Sequence, residues 1–175
     1  MAAKSTDTVS ASSRREETHF ELVGDREHVM TRTFAAPRAL VFEVFTTPAH
    51  VKRWWAPAST GLQMVECEID LRVGGRYRFL GRRKDGFECG FSGEYREIAA
   101  PGRLVYTEVF DLAPDAPSLV TVVFEEHAGK TKSTMHALFA SPEARAAAVS
   151  SGMEGGVSEC MLQIDEILAS LSRTN

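Results

Sequence analysis

The hydrophobic pattern of the chain changes along its length. Between residues 62 and 139 apolar residues recur at every second position, in runs separated by turn signals such as Gly74-Gly75, Lys84-Asp85-Gly86 and Pro101-Gly102. This alternation is typical of strands with one buried face, and the short connections predict antiparallel hairpins.

Helical signals flank this region on both sides. After two extended stretches in residues 20–34, Pro37 and then Thr47-Pro48 each suit the start of a short helix. Ser141-Pro142-Glu143 predicts another helix start, and a break at residues 150–152 precedes a long amphipathic helix. Its apolar stripe consists of Met153, Val157, Met161, Ile164, Leu168 and Leu171.

The order of these elements predicts an α+β helix-grip fold. A curved antiparallel sheet of about six to seven strands would wrap around the long C-terminal helix, with two short helices after the first strand. The curl leaves a hollow between sheet and helix. We expect residues 1–17 to form a disordered tail and residues 18–175 to form one domain, which suits a chain of 175 residues.

Composition narrows the function classes. The net charge is −4 and no long basic stripe is present, which argues against nucleic acid as a partner. No apolar run reaches the ~18 residues that a membrane span needs. Cys67, Cys89 and Cys160 are too widely spaced for a disulfide framework or a zinc site, which predicts a reducing, cytoplasmic location. The five histidines show no ligand spacing, so we expect no metal and no cofactor.

Four blocks of sequence resemble one known family. They are FAAPRALVFEVFTTPAHVKRWWAP (34–57), LRVGGRYRFL (71–80), GEYREIAAPGRLVYTEVF (93–110) and GMEGGVSECMLQIDEIL (152–168). In this order and spacing they resemble the activator of heat shock protein 90 ATPase homologue-like family of the START/Bet v 1-like (SRPBCC) superfamily. The resemblance implies a helix-grip fold with a ligand cavity between sheet and long helix. Members include lipid carriers, polyketide cyclases, antibiotic-resistance proteins and chaperone activators, so it assigns no reaction.

Strand alternation indicates which side chains face the predicted cavity. Glu108 is left open: facing inward it is a buried carboxylate that needs a partner, and facing outward it is a solvated charge. Ser133 is either a polar contact in a widened cavity or a core serine bonded to its own backbone. The candidate ligand-binding residues are Trp54, Trp55, Tyr77, Phe79, Phe91, Tyr95, Tyr106, Glu108, Phe124, Ser133, Met135, Met153, Val157 and Met161.

Three functions follow from this pattern. The first is binding of a small apolar or aromatic molecule in the cavity, because the predicted lining is aromatic and thioether-rich. The second is a cyclase-, aromatase- or hydrolase-like enzyme, which would require acid–base groups such as Glu108, Tyr95 or Tyr106 to converge. The third is a co-chaperone-type interaction module acting through its outer surface, although only a short tail precedes the domain here. A homodimer is left open.

Overall fold

A single antiparallel sheet forms most of the molecule, which is described here by a computed structural model covering residues 17–173. Its eight strands lie in the order β1-β2-β8-β7-β6-β5-β4-β3. The strands are β1 (His19–Val23), β2 (Glu27–Phe34), β3 (Gln63–Ile69), β4 (Arg76–Arg82), β5 (Glu88–Ala99), β6 (Arg103–Phe110), β7 (Ser118–His127) and β8 (Lys130–Leu138). The predicted disordered tail lies outside the described residues, except for Glu17.

The predicted helix-grip architecture is confirmed, with one more hairpin than expected. The first extended region folds back on itself at Gly24, whose φ of 55° is readily adopted by glycine, so it supplies both β1 and β2. The sheet therefore has eight strands, and the short helices follow the second strand instead of the first.

Four α-helices and one 3₁₀ turn cover one face of this sheet. They are α1 (Arg38–Thr46), α2 (Pro48–Trp54), the 3₁₀ turn Ala58–Thr60, α3 (Pro142–Ser150) and α4 (Met153–Ser172). Helix α3 begins as predicted, because the Ser141 hydroxyl accepts a hydrogen bond of 3.1 Å from the Ala144 amide. None of the helices in residues 17–173 has the length and apolar content that crossing a membrane requires.

The core lies where α1 and the second half of α4 pack on the inner face of β2, β7 and the start of β6. Helix α4 buries Cys160, Met161, Ile164, Ile167 and Leu168, whereas the stripe residues of its first half, Met153 and Val157, keep accessible surface. The core on the sheet side consists of Met30, Phe34, Leu104, Val120, Val122 and Phe124. The predicted stripe is therefore buried over only part of its length.

Two polar contacts hold the ends of α4 against β2. Near the start of the helix, Glu154 Oε1 lies 3.0 Å from Nε2 of the buried His28. Four residues further along β2, the Arg32 guanidinium pairs with Asp165, and the Arg32 side chain is 2% exposed. A buried charge is costly without a partner, so this ion pair fixes the position of the helix relative to the strand.

Tyr77 packs across β5 because position 93 is glycine. A Cβ at Gly93 would lie 1.7 Å from the Thr107 carbonyl oxygen and 2.7 Å from Tyr77 Cε1. The vacant position lets the Tyr77 hydroxyl donate a hydrogen bond of 3.1 Å to that same carbonyl. The side chain of Tyr77 thereby links β4 to β6 across the intervening strand.

We predict that Met161→Asp destabilises the protein by several kcal/mol. Met161 is 2% exposed, so the substitution buries an unpaired carboxylate at the sheet–helix interface. Urea unfolding measures the change. Ala169→Asp, on the exposed side of α4, introduces the same charge and should cost less than about 1 kcal/mol. Equal effects of the two substitutions would contradict the burial of the stripe.

We also predict that Gly93→Ala costs about 2 kcal/mol or more, because the new methyl group collides with backbone and with the Tyr77 ring. The matched control is Gly102→Ala, since a Cβ at Gly102 meets its nearest neighbour, in Arg38, at 3.5 Å. Thermal melts of both variants test this prediction. If Gly93→Ala lowered the melting temperature no more than Gly102→Ala does, the packing of Tyr77 across β5 would be contradicted.

Candidate functional site

Aromatic side chains line the inner face of β4, β5 and β6. The strand register places Phe79 opposite Phe91, and Phe91 opposite Phe110. Four residues further along β5, Tyr95 lies opposite Tyr106. Side chains in directly paired positions lie on the same face of a sheet, so these strands present a continuous aromatic surface towards the helices.

The rings of this surface contact one another closely. The centroids of Phe91 and Phe110 are 4.9 Å apart in a stacked arrangement, and those of Tyr77 and Phe79 are also 4.9 Å apart. Tyr77 and Tyr106 meet edge to face at 5.6 Å. Such pairs contribute about 0.5–1.5 kcal/mol each beyond the area they bury, so together they favour one arrangement of the rings.

The two adjacent tryptophans lie in different environments, as expected for neighbours on a helix. Trp54 packs against the core, with its indole N–H donating to the Val44 carbonyl at 2.9 Å. Trp55 instead lies over the aromatic surface, 5.9 Å from the ring centroids of both Phe79 and Phe91.

The position of Trp55 is set by contacts from α4 to the end of α2. The side-chain amide of Gln163 donates to the carbonyls of Arg53, Trp54 and Ala56 at 3.1–3.2 Å. The Cys160 thiol donates to the Trp55 carbonyl at 3.2 Å. These bonds satisfy carbonyls that the end of a helix leaves unpaired, and they hold Trp55 away from the helix axis and above the sheet.

Part of the inner face keeps accessible surface although it lies deep in the molecule. We call this region the inner cleft, defined by Trp55, Phe79, Phe91, Tyr106, Glu108 and Phe110. Met153 and Val157 in the first half of α4 are also accessible, whereas the strand positions facing the second half of α4 are fully buried. The inner cleft therefore lies beside the part of the sheet that α4 fills.

Glu108 is the carboxylate of the inner cleft. It shares a face with the core residue Leu104 and with Tyr106, which settles its orientation as inward. Burial raises the pKa of Glu108 to about 7 from an ordinary value of 4.5. A carboxyl that is surrounded by protein yet still accessible has the position expected at the bottom of a cleft, where few waters solvate its charge.

Several predicted cavity residues are instead part of the solid core. Phe124 is 1% exposed, Ser133 is 0% exposed and Met161 is 2% exposed, so the prediction that they line a cavity is wrong. Ser133 lies between Arg32 on β2 and Phe124 on β7, and its hydroxyl has no hydrogen-bond partner among the described residues. Phe124 is covered by α1, whose Phe42 and Phe45 rings lie 6.0 and 5.1 Å from it between centroids, and Met161 is one of the residues that α4 itself buries.

Other predicted residues lie at the border of the inner cleft. Tyr77 and Tyr95 are on the inner face but are buried, at 4% and 5% exposure, so they support the aromatic surface from below. Trp54 and Met135 pack against the core with part of their surface accessible.

Three inner-face residues were missed as candidates. Phe110 shares the alternation of Tyr106 and Glu108, which was sufficient to include it. His28 and Arg32 alternate with Met30 and Phe34, and this period of two assigns them to the buried face of β2. Their burial could therefore be predicted from the sequence. Their pairing with Glu154 and Asp165 could not, because these partners on α4 are far away in the sequence.

Two depressions of the surface lie apart from the inner cleft. No cluster of His, Cys, Asp or Glu within residues 17–173 could hold a metal ion. A depression of about 390 Å³ at the β3–β4 turn is lined by Glu68, Ile69, Asp70, Arg72, Gly74 and Arg76. Another, of about 250 Å³, is lined by Glu17, His19, Thr31, Arg32, Thr33 and Lys132. Neither borders the aromatic surface.

The eight-stranded curved sheet closed by one long C-terminal helix defines a helix-grip protein of the START/Bet v 1-like class. Residues 35–169 match the family described as Activator of Hsp90 ATPase homolog 1-like protein, and the chain belongs to that family. The match runs from α1 into the last turn of α4 and therefore includes the whole inner cleft.

Solved structures of similar proteins share this fold. A protein from Rhodobacter sphaeroides is 27% identical with a TM-score of 0.82, and the alignment covers 88% of this chain and 99% of that one. Protein Ms6760 from Mycobacterium smegmatis is 26% identical with a TM-score of 0.76, covering 87% and 96% of the two chains. An AHSA1-like protein from Aeromonas hydrophila is 23% identical with a TM-score of 0.63, covering 79% and 93%. No curated protein matches the chain.

We predict that Glu108→Gln makes the protein more stable relative to the wild type as the pH rises. Since the folded-state pKa is raised, the contribution of Glu108 to stability is fully present below pH 4.5 and is lost as the pH rises through about 7. The lost contribution amounts to at most about 3 kcal/mol. Gln cannot ionise and escapes this loss.

Urea unfolding of both proteins at pH 5 and pH 8 measures the effect as a difference between variants, in which other titrating groups cancel. The matched control is Glu125→Gln, which removes an exposed carboxylate on the outer face of β7. If the difference in unfolding free energy between the wild type and Glu108→Gln were the same at pH 5 and pH 8, the Glu108 carboxyl would be solvated.

Proposed function

We propose that the protein binds a small apolar or aromatic molecule in the inner cleft. The observation that carries this proposal is that five aromatic side chains retain accessible surface on the inner face, where an ordinary core would bury them. Membership of the Activator of Hsp90 ATPase homolog 1-like family supports a binding or interaction module in general terms.

Apolar burial would supply most of the affinity. A ligand that covers ~200 Å² of the aromatic surface gains about 5 kcal/mol from removal of that surface from water, before the costs of association. Because the rings already pack rigidly on one another, little conformational entropy would be lost on binding. Glu108, the Tyr106 hydroxyl and the Trp55 indole N–H are polar groups of the cleft that could orient the ligand.

An acid–base reaction in the same cleft is the second candidate function. Glu108 has a pKa of about 7, so it can donate or accept a proton at neutral pH. Tyr106 adjoins it on the same strand face, but burial raises its pKa well above the ordinary value and keeps it a neutral hydrogen-bond donor. Loss of turnover in Glu108→Gln with ligand affinity retained would favour this second function.

The remaining expectations concern partners and location. Contact with a chaperone, formation of a homodimer, a cytoplasmic location and a domain spanning residues 18–175 stay predictions. A chaperone contact would use the outer surface, where Arg78 pairs with Asp111 through two hydrogen bonds of 2.6 and 2.8 Å. Substitutions there separate that function from binding in the cleft.

We predict that Phe79→Ala weakens the binding of a hydrophobic reporter dye by about 1–3 kcal/mol, because the ring forms part of the cleft surface beneath Trp55. Fluorescence titration of the dye measures the change. Phe87→Ala removes the same ring from an exposed hairpin and should leave affinity unchanged.

Arg78→Ala is a second control, on the outer face of the strand that carries Phe79. If Arg78→Ala or Phe87→Ala abolished dye binding while Phe79→Ala left it intact, the binding site would lie outside the cleft. Phe124→Ala is unsuitable for this test, since Phe124 is in the core and its truncation lowers stability instead.

A further inference from the structure

The ionisable side chains on the inner face differ in whether the protein itself neutralises them. Arg32 pairs with Asp165 of α4 and also donates to the Thr18 hydroxyl at 2.7 Å. His28 is 3.0 Å from the Glu154 carboxylate. Helix α4 therefore supplies an acidic partner to each of these side chains, Glu154 from its first half to His28 and Asp165 from its second half to Arg32.

Glu108 has no such partner. Its carboxylate makes no hydrogen bond or ion pair with any residue in the described range 17–173. The nearest inner-face neighbours on its own strand are Tyr106 and Phe110, and its register partner on β7 is the buried Ser118. On the β5 side, Gly93 has no side chain and the Tyr77 ring fills the space. The Tyr77 hydroxyl donates its hydrogen bond to the Thr107 carbonyl and not to Glu108.

The surroundings of Glu108 suit a positive charge. Aromatic ring faces carry negative potential and attract cations, an effect that strengthens where water is scarce. The cleft residues Trp55, Phe79, Phe91, Tyr106 and Phe110 are all aromatic, and none of the residues defining the cleft is basic. A buried carboxylate normally has a cationic partner, and here the protein provides none within the cleft.

We propose that the inner cleft selects molecules that carry a protonated amine on an apolar or aromatic body. The amine would lie against the Glu108 carboxylate, and the body would cover the aromatic rings. This inference rests on the proposed ligand-binding function and specifies its ligand class. A ligand with a carboxylate would instead meet a like charge with no basic group to offset it.

Amine binding is expected to depend on pH through Glu108. Its pKa of about 7 means that at pH 6 the carboxyl must release a proton before it can pair with the amine, whereas at pH 8 it is already ionised. The fraction ionised changes about tenfold between these values, and affinity should follow it.

Other titratable groups face Glu108 from the surrounding elements. Burial raises the pKa values of Tyr77 on β4, Tyr95 on β5 and Tyr106 on β6, so these hydroxyls stay neutral between pH 6 and 8. The His28–Glu154 pair of β2 and α4 lies at the far side of the inner face. That pair is retained in Glu108→Gln, which isolates the contribution of Glu108.

The experiment compares two probes of the same shape on the full-length protein. One is naphthylmethylamine, which is protonated throughout pH 6–8, and the other is the neutral naphthylmethanol. Calorimetric titrations at pH 6, 7 and 8 use the wild type, Glu108→Gln and the matched outer-face control Glu125→Gln. We expect the wild type to bind the amine at least tenfold more tightly than the alcohol at pH 8. That preference should fall severalfold at pH 6.

The variants should separate the sources of the preference. Glu108→Gln should bind the alcohol as the wild type does and lose both the amine preference and its pH dependence, whereas Glu125→Gln should keep both. Equal binding of the two probes by the wild type at pH 8 would overturn the amine inference and leave the apolar site intact. Binding of neither probe would overturn the inference and the proposed function together.

Two further results bear on the role of Glu108. An amine preference that persists in Glu108→Gln would assign the selection to another group and overturn the proposal. If Glu108→Gln failed to fold, the wild-type comparison alone would decide, because a pH-independent amine affinity contradicts pairing with a carboxyl whose pKa is about 7.

Discussion

One helix cannot cover an eight-stranded sheet, and this constraint shapes the rest of the molecule. Strands ~4.8 Å apart make the sheet roughly 34 Å wide before it curls, whereas a helix with its side chains is ~10 Å across. Helix α4 lies along β2, where Arg32 and His28 bind its acidic residues. Its second half and α1 fill the core over β2, β7 and the start of β6, and the rest of the inner face of β4–β6 needs another cover.

The end of α2 covers this part of the inner face incompletely, and the uncovered part forms the inner cleft. The end of α2 is tied to α4 by Gln163 and Cys160, so Trp55 lies above Phe79 and Phe91 at ring-centroid distances of 5.9 Å. Beneath this surface Tyr77 packs across Gly93 and bonds to the Thr107 carbonyl, which links β4 to β6. Glu108 lies on this partly covered surface, which accounts for both its accessibility and its raised pKa.

Sequence periodicity predicted the strands, the helix starts and the inward direction of most aromatic side chains, because these depend on local alternation and capping. It could not predict where α4 crosses the sheet. Phe124 and Ser133 carry the same inner-face signal as Phe79 and Phe91, yet they are buried, because this part of the sheet is covered by helices and the α1 rings of Phe42 and Phe45 lie against Phe124. The orientation of Glu108 was equally undetermined, since both faces of β6 carry apolar residues and only the register with β7 distinguishes them.

The solvation of Glu108 decides whether the inner face of β4–β6 forms a poorly solvated aromatic cleft with this carboxyl at its base. It can be measured by an NMR titration of the Glu108 side-chain carboxyl carbon in the ligand-free protein. We expect a midpoint near pH 7, since burial disfavours the charged form and no basic residue of the cleft offsets this. A midpoint near the ordinary value of 4.5 would place the carboxyl in open solvent and contradict the account.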